Sequence, residues 1–305
     1  MIQNVNSLSL FIAFALFTKI VSAQEDLDKP GFTISDINLG FGGYSYTELG
    51  LSLNDFRKLA PQSELLKADF SNLYTNGFYT NTYYEDALES QSVSEITAGL
   101  AKKISESKKY QFFPEYRFGF MYQSGIRSSR YYSRDDYERF DTLTSSQTGQ
   151  VFYVDSVKHT SYNMRYSAQQ LRITASVIFR HNPLSRWSLY AGGGFNLGMT
   201  INPFTEIDYT YQTSTNFTLP YSVLPTKNEI YISETFRNKF SMAGAGFLIA
   251  GVDWRVGRKR EFWKRLHLSY ELRPIVDYNN IPERKSFVNA AVQHQFSFRY
   301  TFNYF

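Results

Sequence analysis

The chain has 305 residues, a formal charge of +4, no cysteine and 18% aromatic residues. Without cysteine it can carry neither a disulfide framework nor a thiolate metal site nor a lipid-anchoring cysteine, and so mild a charge gives no reason to expect nucleic acid as a partner. Beyond the N-terminus no stretch approaches the ~18 consecutive apolar residues of a membrane helix, so a helical membrane protein is excluded and the aromatic residues must be placed elsewhere.

Met1 to Ala23 contains the apolar run Leu8 to Phe17 followed by Val21-Ser22-Ala23, the small-residue pattern of a secretory signal peptide, which predicts a mature chain starting at Gln24. At roughly 10 residues the run is too short for the ~20 that a retained span needs. Removing Lys19 with it lowers the formal charge from +4 to 4 − 1 = +3. A secreted chain of this length without disulfides needs a large core or a closed sheet.

Eight segments of alternating character follow, each predicted as a strand by its period of two. Residues 33–46 set Ile37, Leu39 and Phe41 against Asp36, Asn38, Gly40 and Gly42. Residues 93–102 set Ile96, Ala98 and Leu100 against Glu95, Thr97 and Gly99. Residues 113–123 set Tyr116, Phe118 and Phe120 against Glu115, Arg117 and Gly119, and 167–180 set Leu171, Ile173 and Phe179 against Arg172, Thr174 and Ser176. In 187–201, Leu189, Phe195 and Leu197 oppose Ser188, Tyr190, Gly192, Gly194 and Asn196. Residues 240–254 are apolar on both faces, with Phe240, Met242, Leu248, Val252 and Trp254 taken as outward and Asp253 as inward. Residues 264–273 set Leu266, Leu268, Tyr270 and Leu272 against Arg265, His267, Ser269, Glu271 and Arg273. The last, 287–304, sets Phe296, Phe298, Tyr300, Phe302 and Tyr304 against Gln295, Ser297, Arg299 and Thr301.

The connections alternate in length. Residues 103–112, 181–186 and 255–262 are short, whereas 46–92, 124–166, 202–239 and 274–286 are longer. Short turns at one end and long loops at the other are the mark of a bacterial outer-membrane barrel. The leader, the eight segments and the aromatic ending YTFNYF resemble the small eight-stranded outer-membrane β-barrel proteins of Gram-negative bacteria, the OmpA and OmpX kind. The resemblance implies an all-β, closed up-and-down antiparallel transmembrane barrel over residues 24–305 with both termini periplasmic. It also implies contact with outer-membrane lipid and lipopolysaccharide, and a C-terminal strand read by the barrel-assembly machinery.

A soluble barrel would turn its apolar set inward, so alternation alone does not separate the two cases. The lipid-facing reading is favoured by aromatics near segment ends, such as Trp187 and Trp254, and by apolar sets almost free of charge at their centres. The inward set then comprises Asp36, Glu95, Glu115, Arg117, Arg172, Asp253, Arg265, His267, Glu271, Arg273 and Arg299. In a lumen just wide enough for side chains these charges must pair, and they are read as a structural polar network rather than a path, with Asp253 expected to meet Arg265.

No catalytic residue, metal ligand or cofactor is expected. His267, Ser269 and Glu271 share one stripe, but alternate residues of a strand are ~6.6 Å apart, too far for a relay. Function is expected in the long loops. Leu53, Phe56 and Leu59 share one face of a short helix capped by Ser52 or Asn54 and ended by Pro61, fit to cover the barrel mouth or to dock a partner. Asn76-Gly77 is expected at a hairpin turn, and the segment RSSRYYSRDDYERFD suits contact with polysaccharide or protein, or a solvated strand extension. The reading is a non-enzymatic barrel displaying loops for binding, adhesion or envelope architecture. Its alternatives are an accessory subunit of a larger outer-membrane secretion or nutrient-import complex, a lipid-modifying enzyme, and a porin-like channel of ten or more strands.

Overall fold

A computed structural model describes residues 32–47, 51–68, 70, 79–80, 88–102, 112–144, 146–183, 185–217, 228–281 and 286–302. The expected leader, the Asn76-Gly77 turn and the final residues Asn303, Tyr304 and Phe305 lie outside them.

Ten antiparallel strands are described: β1 (Phe32–Thr47), β2 (Tyr79–Thr80), β3 (Leu88–Lys102), β4 (Phe112–Thr144), β5 (Val151–His181), β6 (Trp187–Phe217), β7 (Asn228–Arg237), β8 (Met242–Arg255), β9 (Leu266–Asn279) and β10 (Phe287–Thr301). Eight of them form a ring. β1 pairs with β3, β3 with β4, β4 with β5 and β5 with β6, and the circuit returns from β6 through β8, β9 and β10 to β1. β2 and β7 lie outside the ring, pairing with β4 and β6 respectively, so the expected count of eight wall strands holds.

The register fixes the size of the ring. Starting at Ile37, the partners run through Ala98, Phe118, Ala175, Phe195, Gly246, Val276 and Ala290. Continuing the β10–β1 register returns to Thr47, 47 − 37 = 10 residues from the start. With ~3.3 Å per residue and ~4.8 Å between strands, that shift tilts the strands by about 41° and closes a barrel of about 8 Å radius. Side chains fill a space of that width.

The burial pattern is the reverse of a soluble barrel. Leu189, Leu248 and Phe296 are 65%, 66% and 65% exposed, while Arg117 and Arg299 are 1% and 0%. The period of two therefore points apolar residues out and polar residues in. Ile37 and Phe302 depart from this at 7% each, although both lie on the outward phase. The apolar second face anticipated in β8 is explained by Ala243, which is buried, and by Ala245, Phe247 and Ile249, which cluster inside the barrel with Ile178, Tyr190 and Ile275.

The long connections differ most from expectation. Rather than loops, 124–166 and 202–239 are largely continuations of the wall strands: β4 and β5 stay paired out to Thr144 and Val151, and β6 continues to Phe217 with β7 on its far side. From Ile126 to Thr144 the hairpin projects roughly 60 Å along the strand. The change of role occurs at one level of the rim. Register shifts fall between Gln123 and Ile126 in β4 and between Ser167 and Gln169 in β5, and Gly125 and Asn202 adopt φ values of 88° and 49°. In β4 the buried phase thereby moves from odd residues (Glu115, Arg117, Met121, Gln123) to even ones (Ile126, Ser128, Tyr132), and in β6 from Asn196 and Thr200 to Thr205 and Ile207. Bulges at a barrel rim bend strands in this way.

Two short helices complete the fold. α1 (Leu53–Leu59) lies at the projecting end, followed by a 3-10 turn at Leu65–Lys67, and α2 (Glu261–Arg265) lies between β8 and β9 at the opposite end. Ser52 caps α1, its side chain accepting from the Asp55 N–H while the Asp55 carboxylate accepts from the Ser52 N–H. This reciprocal capping box is why so short a helix starts there. It ends at Leu59, just before Pro61.

Candidate functional site

The barrel interior contains six buried carboxylates (Asp36, Glu95, Glu115, Asp253, Glu271, Asp277), five buried guanidiniums (Arg117, Arg172, Arg180, Arg273, Arg299) and His267. They are tied together in tiers. Nearest the short turns, Asp253 accepts from Arg299 at 3.0 Å and meets His267 Nδ1 at 2.7 Å and Arg180 Nη1 at 3.4 Å. Arg299 also lies 3.5 Å from Glu115 and 3.6 Å from Asp36. At mid-height Arg117 bridges Glu115 at 2.9 Å and Glu271 at 2.7 Å, and Arg273 bridges Glu271 at 2.6 Å and Glu95 at 2.7 Å. Toward the mouth Arg172 lies 2.8 Å from Asp277, whose other oxygen accepts from Tyr44 at 2.9 Å.

Aromatic groups close the gaps. Tyr190 donates to Glu271 at 2.8 Å, and its ring lies under Arg180 at 4.5 Å and Arg117 at 5.4 Å. Above it Tyr44, Val93 and Met121 form a buried apolar cluster. Charges of both signs in mutual contact make a plug in which each guanidinium lies against a carboxylate. Removing one member would strand its partners in a low-dielectric space.

Ten of the eleven residues expected inside are there: Asp36, Glu95, Glu115, Arg117, Arg172, Asp253, His267, Glu271, Arg273 and Arg299. Arg265 is the correction. It is the last residue of α2 and partly exposed, and its backbone carbonyl accepts from Thr301 at the wall. Because a helical turn intervenes before β9 starts at Leu266, His267 takes the place beside Asp253 that Arg265 was expected to fill. Ser269 pairs with Ser297 at 2.8 Å and Glu271 with three other side chains, so His267, Ser269 and Glu271 do not converge.

Arg180, Asp277 and Tyr44 were missed, whereas Tyr190 lies on the inward face as expected, its place in the charge network being the part not foreseen. Arg180 continues the inward phase of Arg172, Thr174 and Ser176, and that parity was the available signal. Asp277 likewise follows Glu271 and Arg273, but Pro274 hid it by suggesting the end of the strand. In the structure Pro274 pairs with Val292, and the β8–β9 ladder has no pair between Phe247–Ile275 and Ala250–Leu272, so its missing N–H falls at that gap.

The mouth is closed by the segment around α1. Phe56 and Leu59 are buried with Ile126, Met164, Tyr166, Ile207 and Ile281, and Leu53 packs against the same cluster. Phe70 adds rings 5.2 Å from Tyr132 and 4.9 Å from Tyr162. Polar ties hold the segment in place: Arg130 donates to the Leu51 carbonyl at 2.9 Å, Asn238 to the Leu59 carbonyl at 2.8 Å, and Ser63 to Glu234 at 2.5 Å. The helix face proposed for a partner is therefore spent on the cover itself, because Phe56 and Leu59 have no surface left to offer.

Beyond the cover, the projecting sheet bears tyrosines and charges of both signs. Tyr137 and Tyr153 are exposed, with Arg139 over the Tyr153 ring at 3.9 Å. His159 lies between Asp135 at 2.6 Å and Tyr131 at 3.4 Å, and Lys158 pairs with Glu138 at 2.8 Å. Hydrogen bonding and the charge of Lys158 hold the Glu138 carboxyl below the ordinary value of 4.5. Among the described residues no cluster of histidines and carboxylates has the arrangement of a metal site.

No protein-family model matches the chain, and no curated protein sequence does. Among solved structures it is similar to the beta domain of the Bordetella autotransporter Brka, at 13% identity and a TM-score of 0.24, covering 88% of this chain and 100% of that one. It is similar also to the translocator domain of the autotransporter NalP from Neisseria meningitidis (11%, TM-score 0.24, covering 97% and 98%). A third is Ail, the attachment invasion locus protein of Yersinia pestis, solved with the heparin analogue sucrose octasulfate (11%, TM-score 0.21, covering 89% and 100%). At such scores the barrel rests on its own strand pairing.

Proposed function

We propose that the chain is an integral outer-membrane β-barrel of the small eight-stranded kind, conducting nothing, and that its work is non-enzymatic binding or adhesion by the sheet that rises from its mouth. The observation that carries this reading is the inverted burial: charged side chains packed inside a wall whose exterior is apolar. From Trp187 to Met199 the outward residues of β6 are predominantly apolar. Those twelve steps, at ~3.3 Å each and a ~41° tilt, cover roughly 30 Å of height, a match to the ~25 Å apolar band of such barrels.

In this reading both termini face the periplasm, the residues after the leader form the barrel, and the C-terminal strand addresses the barrel-assembly machinery. Lipid and lipopolysaccharide surround the wall. The tyrosines and mixed charges of the projecting β4–β5 hairpin suit polysaccharide or protein at an adjacent surface. The test is protease treatment of intact Gram-negative cells expressing the full chain. Cleavage within 126–168 with a detergent-extractable, heat-modifiable remainder supports the reading, whereas a chain that stays dissolved without detergent and migrates identically after heating refutes it.

A further inference from the structure

Charge is divided unevenly between the two ends of the barrel. Three connections in the sequence, 102–111, 181–186 and 255–265, lie between wall strands whose ends fall where β1 begins and β10 finishes. They hold eleven of the 32 Lys and Arg residues but two of the 28 Asp and Glu residues, Glu106 and Glu261. These connections thus carry 11 − 2 = +9 and the rest of the chain 21 − 26 = −5.

The densest of the three is RVGRKREFWKR, residues 255–265. It is a built turn: the Gly257 N–H donates to the Trp263 carbonyl at 2.9 Å, Val256 to Leu266 at 3.0 Å and Lys264 to Arg260 at 3.0 Å. Glycine at 257 is required by packing, since a Cβ there would lie 2.3 Å from that of Trp263. The one acid, Glu261, is engaged by Lys264 at 2.6 Å, while Arg258, Lys259 and Arg260 stand exposed. Next to them Phe262 and Trp263 are 55% and 43% exposed. The Phe262 ring lies 5.9 Å from Tyr300 at the end of β10, so it rests against the wall. At the same end Trp187 and Trp254 stack at 5.7 Å with Arg186 over Trp254 at 5.6 Å.

Aromatic rings at one level of the wall with cations immediately beyond them match the two layers of a membrane interface, the acyl boundary and the phosphates. We propose that this end of the barrel is a binding surface for anionic phospholipid headgroups of the periplasmic leaflet, with Arg258, Lys259 and Arg260 on the phosphates and Phe262 and Trp263 at the acyl boundary. The inference rests on the membrane reading above and adds a lipid preference that an apolar wall alone does not supply.

The test uses the full mature chain in nanodiscs of equal parts phosphatidylglycerol and phosphatidylcholine, with retained lipids counted by native mass spectrometry. Wild type retains phosphatidylglycerol over phosphatidylcholine about fivefold, and R258S/K259S/R260S approaches parity, while R127S/K158S at the other end keeps the preference. If the triple variant does not assemble, wild type is compared at low and ~1 M salt, where screening must abolish the preference. Parity in wild type, or an undiminished preference in the triple variant or at high salt, overturns the proposal. Discs containing lipid A decide the leaflet: lipid A retained above phosphatidylglycerol, and lost in the triple variant, overturns the assignment to phospholipid. Failure of wild type to enter discs at all refutes the membrane reading instead.

Discussion

Tyr190 occupies the space that Gly251 leaves empty on the neighbouring strand: a Cβ at 251 would lie 2.3 Å from the phenol ring. The ring is thereby held where its hydroxyl reaches Glu271 and its face supports two arginines. Gly251→Ala is expected to push the ring away and destabilise the barrel by about 1–3 kcal/mol through overpacking. Urea unfolding in lipid vesicles followed by tryptophan fluorescence measures this, and a Gly251→Ala midpoint equal to wild type would contradict the packing described.

Arg299 lies beside three carboxylates, Asp36, Glu115 and Asp253. Arg299→Ala leaves them facing each other and is expected to cost about 3–5 kcal/mol, the range for breaking a buried ion pair from one side. Arg299→Ala combined with Asp253→Asn is expected to recover part of the loss. A double variant as unstable as the sum of its parts would show that the two residues do not share a network.

Much of this interior was legible because a strand repeats every two residues: once Glu271 was assigned inward, His267, Ser269 and Arg273 followed. The same rule failed where helical turn or bulge intervened. Arg265 belongs to α2, so parity counted back from β9 does not apply to it, and the reversal of the buried phase at Gly125 and Asn202 cannot be seen in composition. The projecting sheet was only partly legible, a strand extension being one reading of the segment RSSRYYSRDDYERFD. Its strands carry tyrosine and charge on both faces, as in Arg134, Asp135, Asp136 and Tyr137, so no apolar period marks them as strands, whereas the wall has one exposed apolar face and one buried face of polar and charged residues.

The cover over the mouth depends on α1. Phe56→Ala is expected to destabilise it by about 3–5 kcal/mol, and Ser52→Ala, which removes the cap, by about 1 kcal/mol. Hydrogen exchange should show faster exchange of the α1 amides in both variants while the wall strands β8 and β9 stay protected. Uniform acceleration across the wall would mean that cover and barrel unfold as one unit.

A barrel of about 8 Å radius filled by paired charges is expected to pass no steady current. Planar bilayers containing purified wild type should stay at baseline, and an open level of porin size would refute the sealed interior.

On the projecting hairpin, Glu138 titrates below 4.5 because Lys158 hydrogen-bonds and attracts its carboxylate. Its folded value is the lower one, so any support the pair gives is present at neutral pH and disappears as pH falls through the depressed value. Lys158→Met should return Glu138 to an ordinary carboxylate titration by NMR, and an unchanged midpoint would show that the pair does not persist in solution.

β4 and β5 stay paired from Thr144 and Val151, beside the turn near Gln150, to Phe112 and His181 at the opposite end of the wall, with register shifts between Gln123 and Ile126 and between Arg139 and Asp141. In the proposed orientation, a pull on that turn would load their ladders with β3 and β6 lengthwise, so that many backbone bonds resist together instead of parting one at a time. In the proposed membrane setting the barrel would be the footing against which that tension acts.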